Sequence, residues 1–208
     1  MDEIQTIAAL AALDGNEAGG RAGGYHRFVG PAQLAWLSEQ LARLDRPALV
    51  LIHQPMDHDK GGLENGAAVR AVLRDHNQQR TDRPVLAVVS GHLHQDYVRV
   101  VDDLTCLQIN SASYYWVGGS GKPNSYFPPE VQKSHPYVNS VAAYRDPLWA
   151  LLEVDLAAGE LRVRGRTTEW IGPPAAERGV PANSPDLPNI RPAVSDRVLC
   201  VAPPRPVS

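Results

Sequence analysis

Cysteine, excess basic charge and long apolar runs are rare or absent in this chain of 208 residues, and each absence excludes a class of protein. Two cysteines far apart in sequence, Cys106 and Cys200, cannot build the dense disulfide framework of a small secreted domain. A formal net charge of −3 gives no basic footprint for nucleic acid, and no polybasic block marks a membrane surface. No apolar run reaches the roughly 20 residues of a membrane-spanning helix. The acidic start of the chain lacks the charged segment of a signal peptide, so we expect no export signal in the sequence as written.

What remains is typical of one globular domain, with 43% apolar residues. Proline is unevenly distributed, because nine of the eighteen prolines lie from Gly172 onward. We therefore divide the chain into a domain of residues 1–171 and a Pro-rich C-terminal tail of residues 172–208. A tail so rich in proline is not expected to pair continuously in a sheet, and should wrap the surface or be disordered.

The apolar pattern predicts a mixed α/β (α+β) chain. Helices are expected near 31–44, opened by Pro31, and near 65–77, capped by Asn65. Trp36 and the leucines of the first helix are interpreted as core residues. Strands are expected near 5–13, 48–52, 85–90, 97–101, 104–109, 148–154 and 160–166. An Asp102-Asp103 turn joins two of these strands, and residues 15–30 and 118–147 are interpreted as loops.

Two of the predicted strands end in histidine. The strand 85–90 continues into Gly91-His92-Leu93-His94, and the strand 48–52 continues into His53. Side chains at positions i and i+2 of an extended backbone point to the same side, and open α/β sheets build their sites at the carboxyl ends of strands. Imidazole suits zinc, iron and manganese, so the pattern indicates one or two adjacent metal ions. A structural histidine at a strand end is the ordinary alternative.

The order of these features resembles the C-terminal half of the calcineurin-like metallophosphoesterases. In that family a helix with the pattern of Gln33, Trp36 and Leu37 precedes a strand ending in a metal-binding histidine, and a later G-H-x-H follows. The resemblance covers roughly residues 5 to 118. It implies a phosphatase or phosphodiesterase whose catalytic domain is a four-layer αββα sandwich, in which two mixed sheets face each other and helices flank them. This chain would be the C-terminal half of that sandwich. It also implies two divalent metal ions (Mn, Fe or Zn), a dinuclear centre in which His53 and His92 bind one ion and His94 the other.

Three motifs of that family, D-x-H, G-D-x-x-D and G-N-H-D, do not occur in this sequence. They would supply the bridging aspartate, further ligands and the leaving-group acid. Asn16, in Asp14-Gly15-Asn16-Glu17, is a weak candidate, because its position matches a later strand of the family. We therefore identify no catalytic residue in this chain, and we expect it to hold the metals poorly and to be a weak or inactive phosphatase by itself.

Two other functions remain open. The chain is either a non-catalytic, truncated chain or partner subunit that keeps half of the fold, or a mononuclear metal-binding module with three histidines. Apart from a phosphoester substrate, the expected partner is a missing N-terminal half or a second copy of the chain, since half a fold leaves apolar sheet surface uncovered. His58, in the polar loop after His53, is a candidate substrate contact, and Asn110 and Ser111 are candidates to support His94.

Overall fold

Three β-sheets and two long helices form most of the structure, a computed structural model that describes residues 5–10, 27–58, 61–118, 124, 126–180 and 190–201. For 5–10 only the backbone is described. The predicted mixed α/β class is confirmed. None of the helices in these ranges combines the length and the apolar character needed to cross a bilayer.

The central sheet has five strands in the order β1-β2-β3-β5-β4, and only β4 runs antiparallel to its neighbour. The strands are β1 (Gln5–Leu10), β2 (Ala48–Ile52), β3 (Val85–Ser90), β4 (Tyr97–Val101) and β5 (Leu104–Gln108). Two helices, α1 (Pro31–Ala42) and α2 (Gly66–Gln79), form the crossovers from β1 to β2 and from β2 to β3. The continuous apolar sequences of β2 and β3 follow from this topology, because inner parallel strands are covered on both faces.

The turn between β4 and β5 is the predicted one. Asp102 and Asp103 have φ values of 51° and 61°. Two central residues with positive φ characterise the hairpin turn that matches the right-handed twist of paired strands, and aspartate tolerates this conformation. The antiparallel β4–β5 hairpin is thus confirmed.

Helix α1 buries Leu37 and Leu41, one turn apart, whereas Trp36 is 40% exposed. The expectation of a buried Trp36 is wrong. The side chains of consecutive helix residues point about 100° apart around the helix axis, so only one of Trp36 and Leu37 can face the sheet.

Asn65 lies at the predicted N-cap of α2 but does not cap it with its side chain. Its amide instead accepts from the Val29 backbone N–H at 3.0 Å and donates to the Val29 carbonyl at 2.8 Å.

Two three-stranded sheets form a second β layer, in the orders β10-β7-β6 and β11-β9-β8. Their strands are β6 (Tyr114–Trp116), β7 (Val141–Tyr144), β8 (Ala150–Asp155), β9 (Glu160–Gly165), β10 (Trp170–Ile171) and β11 (Arg197–Cys200). The stretch 118–147 was expected to be a loop, but it contains β7, the short helix α3 (Pro129–Ser134) and a 3-10 helix (Pro136–Ser140). All three are short, and β7 also depends on pairing with β6 and β10, so local sequence does not reveal them.

A separate apolar core lies on each face of the central sheet. One joins α1 and α2 to side chains such as Val50 and Val88, and the other joins Leu49 and Ala87 to the second β layer. Successive strand residues point to opposite faces, which explains why neighbours in β2 and β3 enter different cores. The resulting order of layers is helices, central sheet, and two smaller sheets.

Part of the C-terminal tail belongs to the second β layer. Strand β11 pairs with β9, and Ala193 and Val194 are almost fully buried. This differs from the expected surface wrap, and the reason is that residues 193–202 contain no proline.

The division of the chain after residue 171 stays a prediction. Residues 11–26 fall outside the described ranges, and so do Asn16 and the end of the strand expected at 5–13.

Candidate functional site

His53 and His92 meet where β2 and β3 end. The strands are parallel neighbours with Ile52 opposite Ser90, so their carboxyl ends lie side by side. One further hydrogen bond, from the Gly91 N–H to the His53 carbonyl at 3.1 Å, extends the ladder past the strands. The His53 Nε2 and His92 Nδ1 atoms are then 3.2 Å apart, with the ring centroids 4.9 Å apart. His53 is exposed, which leaves the pair open to solvent on one side.

The backbone that carries His92 and His94 is not extended, contrary to the prediction. The Leu93 N–H donates to the Gly91 carbonyl at 2.9 Å, which closes a γ-turn around His92 with φ of 73°. His94 also has a positive φ, 55°. A γ-turn of positive φ is the rare and strained form, and each such residue costs on the order of 1 kcal/mol or more. Surrounding contacts must therefore hold this loop in place.

His94 packs against a different neighbour. Its ring meets the Tyr114 ring edge-on, with centroids 4.6 Å apart. Its Nδ1 atom is buried and has no hydrogen-bond partner among the described residues. Burial lowers the pKa of His94, opposed by a hydrogen bond to the Tyr114 backbone and assisted by the charge of His53. The ring therefore favours its neutral form, which offers a lone pair to a ligand.

His92 is held neutral more firmly. Burial, followed by the charges of His53, His94 and Arg27, lowers its pKa to about 4. A neutral imidazole is the form that binds a metal ion. At pH 7 the ring is therefore in the state that metal ligation requires.

The separation of the two ring nitrogens fits a shared cation. Two nitrogens bound to one tetrahedral metal ion at about 2.0–2.1 Å lie about 3.3 Å apart, and the His53–His92 distance is 3.2 Å. The same space also accommodates one proton in a hydrogen bond between the rings. No three His, Cys, Asp or Glu side chains within the described ranges form a group that could hold a metal ion. The fit is thus that of a two-histidine pair, and the ligand set of three histidines stays a prediction.

Arg27 is a site residue that the sequence did not reveal. Its guanidinium donates to the Gly62 carbonyl at 3.2 Å and pairs with Glu64 at 3.3 Å, and its positive charge is close enough to lower the pKa of His92. Its side chain is 20% exposed. Arg27 follows a glycine-rich segment without any motif, so only the packing of the polar loop could identify it.

The polar loop after β2 closes against the histidine loop. The Leu63 N–H donates to the Pro55 carbonyl at 2.8 Å, and Gly61 has φ of 82°. A Cβ atom at Gly61 would lie 2.7 Å from Leu93 Cδ2. Leu93, which separates His92 from His94, is therefore packed against the backbone of this loop.

His58 lies half-buried in the same loop, beside Asp57. Burial raises the pKa of Asp57, against the lowering effects of a backbone hydrogen bond and of the nearby Arg99. The role of His58 as a substrate contact stays a prediction.

Two buried amides hold the surrounding backbone. Gln108 accepts from the Ser90 hydroxyl at 2.9 Å and donates to the Gly91 carbonyl. Asn110, expected to support His94, instead donates to the Ala193 carbonyl at 3.0 Å and accepts from the Tyr144 hydroxyl. Asn110 thus fixes the C-terminal segment rather than the histidine.

No protein-family model matches the sequence, and no curated protein matches it at a significant level. The family resemblance therefore stays a prediction from the sequence motifs.

Proposed function

We propose that this chain supplies the histidine ligands of a metal-dependent phosphoester hydrolase of the calcineurin-like type, within the C-terminal half of an αββα sandwich. The observation that carries the proposal is the His53–His92 pair. Its nitrogens lie 3.2 Å apart at the carboxyl ends of two adjacent parallel strands, in the order of the family motifs.

The roles of the residues follow from their protonation and position. His53 Nε2 and His92 Nδ1 would hold one divalent ion, and His94 would hold a second through its unpartnered side. When bound, such ions stabilise the charge of a phosphoryl group and activate water. The lowered pKa values of His92 and His94 keep their lone pairs available at neutral pH.

Arg27 supports an anionic substrate. A guanidinium binds phosphoryl oxygens with two parallel hydrogen bonds, and this one lies within electrostatic range of His92. Its anchor on Gly62 fixes it to the loop that packs against Leu93. We infer that Arg27 contacts the phosphoryl group rather than the metals.

Negative charge is the missing component of the site. Three neutral imidazoles do not offset two divalent cations, and the described residues place no carboxylate in a metal-binding group with them. We propose that carboxylates from another polypeptide segment complete the site, and that this chain by itself hydrolyses phosphoesters weakly.

Metal titration is the direct test. We would measure Zn²⁺ and Mn²⁺ binding by calorimetry for the wild type, His53→Ala and His92→Ala, with His135→Ala as a control at the end of α3. We expect each of the first two variants to bind at least about tenfold more weakly, since each removes one ligand nitrogen of the pair. Equal affinities in all four proteins would refute the shared site.

A second measurement tests the substrate class. With Zn²⁺ present, Arg27→Gln should weaken the binding of inorganic phosphate several-fold, whereas Arg46→Gln should not, because Arg46 precedes β2 at the opposite end of the strand from His53. Robust hydrolysis of an aryl phosphate that disappears in His92→Ala would show that the chain needs no outside carboxylates.

A non-catalytic metal-binding chain is the second candidate. The finding that favours it is the absence of a group of three ligating side chains in the described part of the chain. Metal binding that depends on His53 and His92, without phosphate binding that depends on Arg27, would support this candidate.

A further inference from the structure

Asp96 is a buried carboxylate two residues after His94. Its side chain is 0% exposed, and its Oδ1 atom accepts from Arg197 Nη1 at 2.6 Å. Its Oδ2 atom accepts from the Ser195 backbone N–H at 3.0 Å and from the Ser195 hydroxyl. A buried charge is costly unless it is paired and fully hydrogen-bonded, and Asp96 meets both conditions.

All of these partners come from the C-terminal segment. Arg197 is the first residue of β11, and its guanidinium also donates to the Asp96 carbonyl at 3.3 Å. The preceding residues are held by Asn110, which donates to the carbonyls of Arg191 and Ala193. The segment 191–197 is therefore attached to the central sheet at two points, after β5 and before β4.

The attachment before β4 closes the histidine loop, residues 91–96. Gln108 binds the carbonyl of Gly91 at the start of this loop, and Ser195 and Arg197 bind Asp96 at its end. Between these points the loop contains the strained residues His92 and His94. A strained backbone persists only where its surroundings fix it, so both ends of the loop need firm anchors.

We propose that Asp96 is a positioning residue for the histidine pair, and that Ser195 and Arg197 of the C-terminal segment belong to the functional site through it. The contact holds the loop so that the His92 ring stays against His53. The metal-binding consequence rests on the proposed function, whereas the fixed geometry of the rings does not.

Arg197→Ala is the decisive variant, with Arg197→Lys as the conservative change. Arg164→Ala is the matched control, because Arg164 lies on β9 of the same sheet and pairs with Glu153 at 2.7 Å with both side chains exposed or nearly so. The ring ¹⁵N resonances of His92 and His94, without added metal, report whether each ring keeps one tautomer and one orientation. Calorimetry with Zn²⁺ reports the affinity of the pair.

We expect Arg197→Ala to broaden or average the ring resonances and to weaken Zn²⁺ binding about 10- to 100-fold, as the loss of a residue that orients a ligand does. Arg197→Lys should recover part of both effects, and Arg164→Ala should show neither.

Wild-type ring resonances in a folded Arg197→Ala protein would overturn the proposal. If that variant does not fold, Ser195→Ala decides it, with a smaller change of the same kind expected and unchanged resonances overturning it. A wild type that binds no Zn²⁺ would refute the proposed function, and the resonances would still decide the role of Asp96.

Discussion

Two places in the described part of the chain put non-glycine residues at positive φ, and they do so for different reasons. Among the described residues these are Asp102 and Asp103 in the β4–β5 turn, and His92 and His94 after β3. The turn joins two antiparallel neighbours, and a two-residue hairpin of this kind requires positive φ at both positions. Its conformation is explained by local structure alone.

The histidine loop has no such requirement. Strands β3 and β4 are not neighbours in the sheet, since β5 lies between them, and six residues connect them. Nothing in strand pairing demands positive φ at His92, so the strain must be imposed by contacts of the loop with Gln108, Gly61 and, through Asp96, Arg197. Strain that pairing does not explain, at two histidines of one loop, motivates the proposed site.

Glycine substitutions separate the two cases most strongly. We expect His92→Gly to weaken Zn²⁺ binding to the pair by about 100-fold or more. The relief of backbone strain and the added entropy of the unfolded chain act in opposite directions, so the free energy of unfolding should stay within about 1 kcal/mol of wild type. Asp103→Gly should leave Zn²⁺ binding unchanged and stabilise the turn by about 0.5 kcal/mol. Calorimetry and urea denaturation measure the two quantities. A large loss of stability in His92→Gly with metal binding intact would reverse the comparison.

Packing of the loop is tested at two glycines. Gly61→Ala should destabilise the fold by about 1–2 kcal/mol, because Gly61 has φ of 82° and its new Cβ would press on Leu93. Gly91→Ala should cost less than about 0.5 kcal/mol, since a Cβ there has no neighbour within 4 Å. Urea denaturation of the two variants checks the difference. Equal costs would mean that Leu93 does not hold the loop.

The pH dependence of stability is a smaller effect with a definite sign. The pKa of His92 is about 4 in the folded protein against an ordinary 6.5, so the unfolded chain binds the proton more readily. His92 therefore contributes stability above pH 6.5 that is lost as the pH falls towards 4. With a chelator present, the decrease in Tm over this range should be smaller in His92→Gln than in wild type. If Tm fell equally with decreasing pH in wild type and in His92→Gln, His92 would not be desolvated in the folded protein.

Much of the central sheet could be predicted from the sequence, and so could β8 and β9 of the second β layer, which were expected near 148–154 and 160–166. The remaining strands of that layer could not. Strands β2 and β3 are continuous apolar runs, and the predicted bounds coincide with the observed ones. Strand β6 has three residues and pairs with β7 across the Pro- and Gly-rich residues 117–140. Short strands with distant partners are stabilised by tertiary contacts rather than by local pattern, so periodicity does not detect them.

The site shows the same division. The meeting of His53 and His92 follows from two parallel strands with histidine at their carboxyl ends. Three other features of the site depend on packing: which ring nitrogen each histidine turns towards the other, the strained backbone, and the position of Arg27. Asp96 reads in the sequence as an ordinary charged residue after the G-H-x-H motif, because its partners lie about 100 positions further along the chain.

That separation has a consequence for the order of folding. Contacts between residues far apart in sequence form late, because a long loop must close first. A chain synthesised only as far as β9 already contains every strand of the central sheet and both of its covering helices. Asp96, however, still lacks Ser195 and Arg197 at that stage. During synthesis the histidine loop therefore acquires its restraint from Asp96 only when β11 emerges, so that this strained loop becomes rigid late.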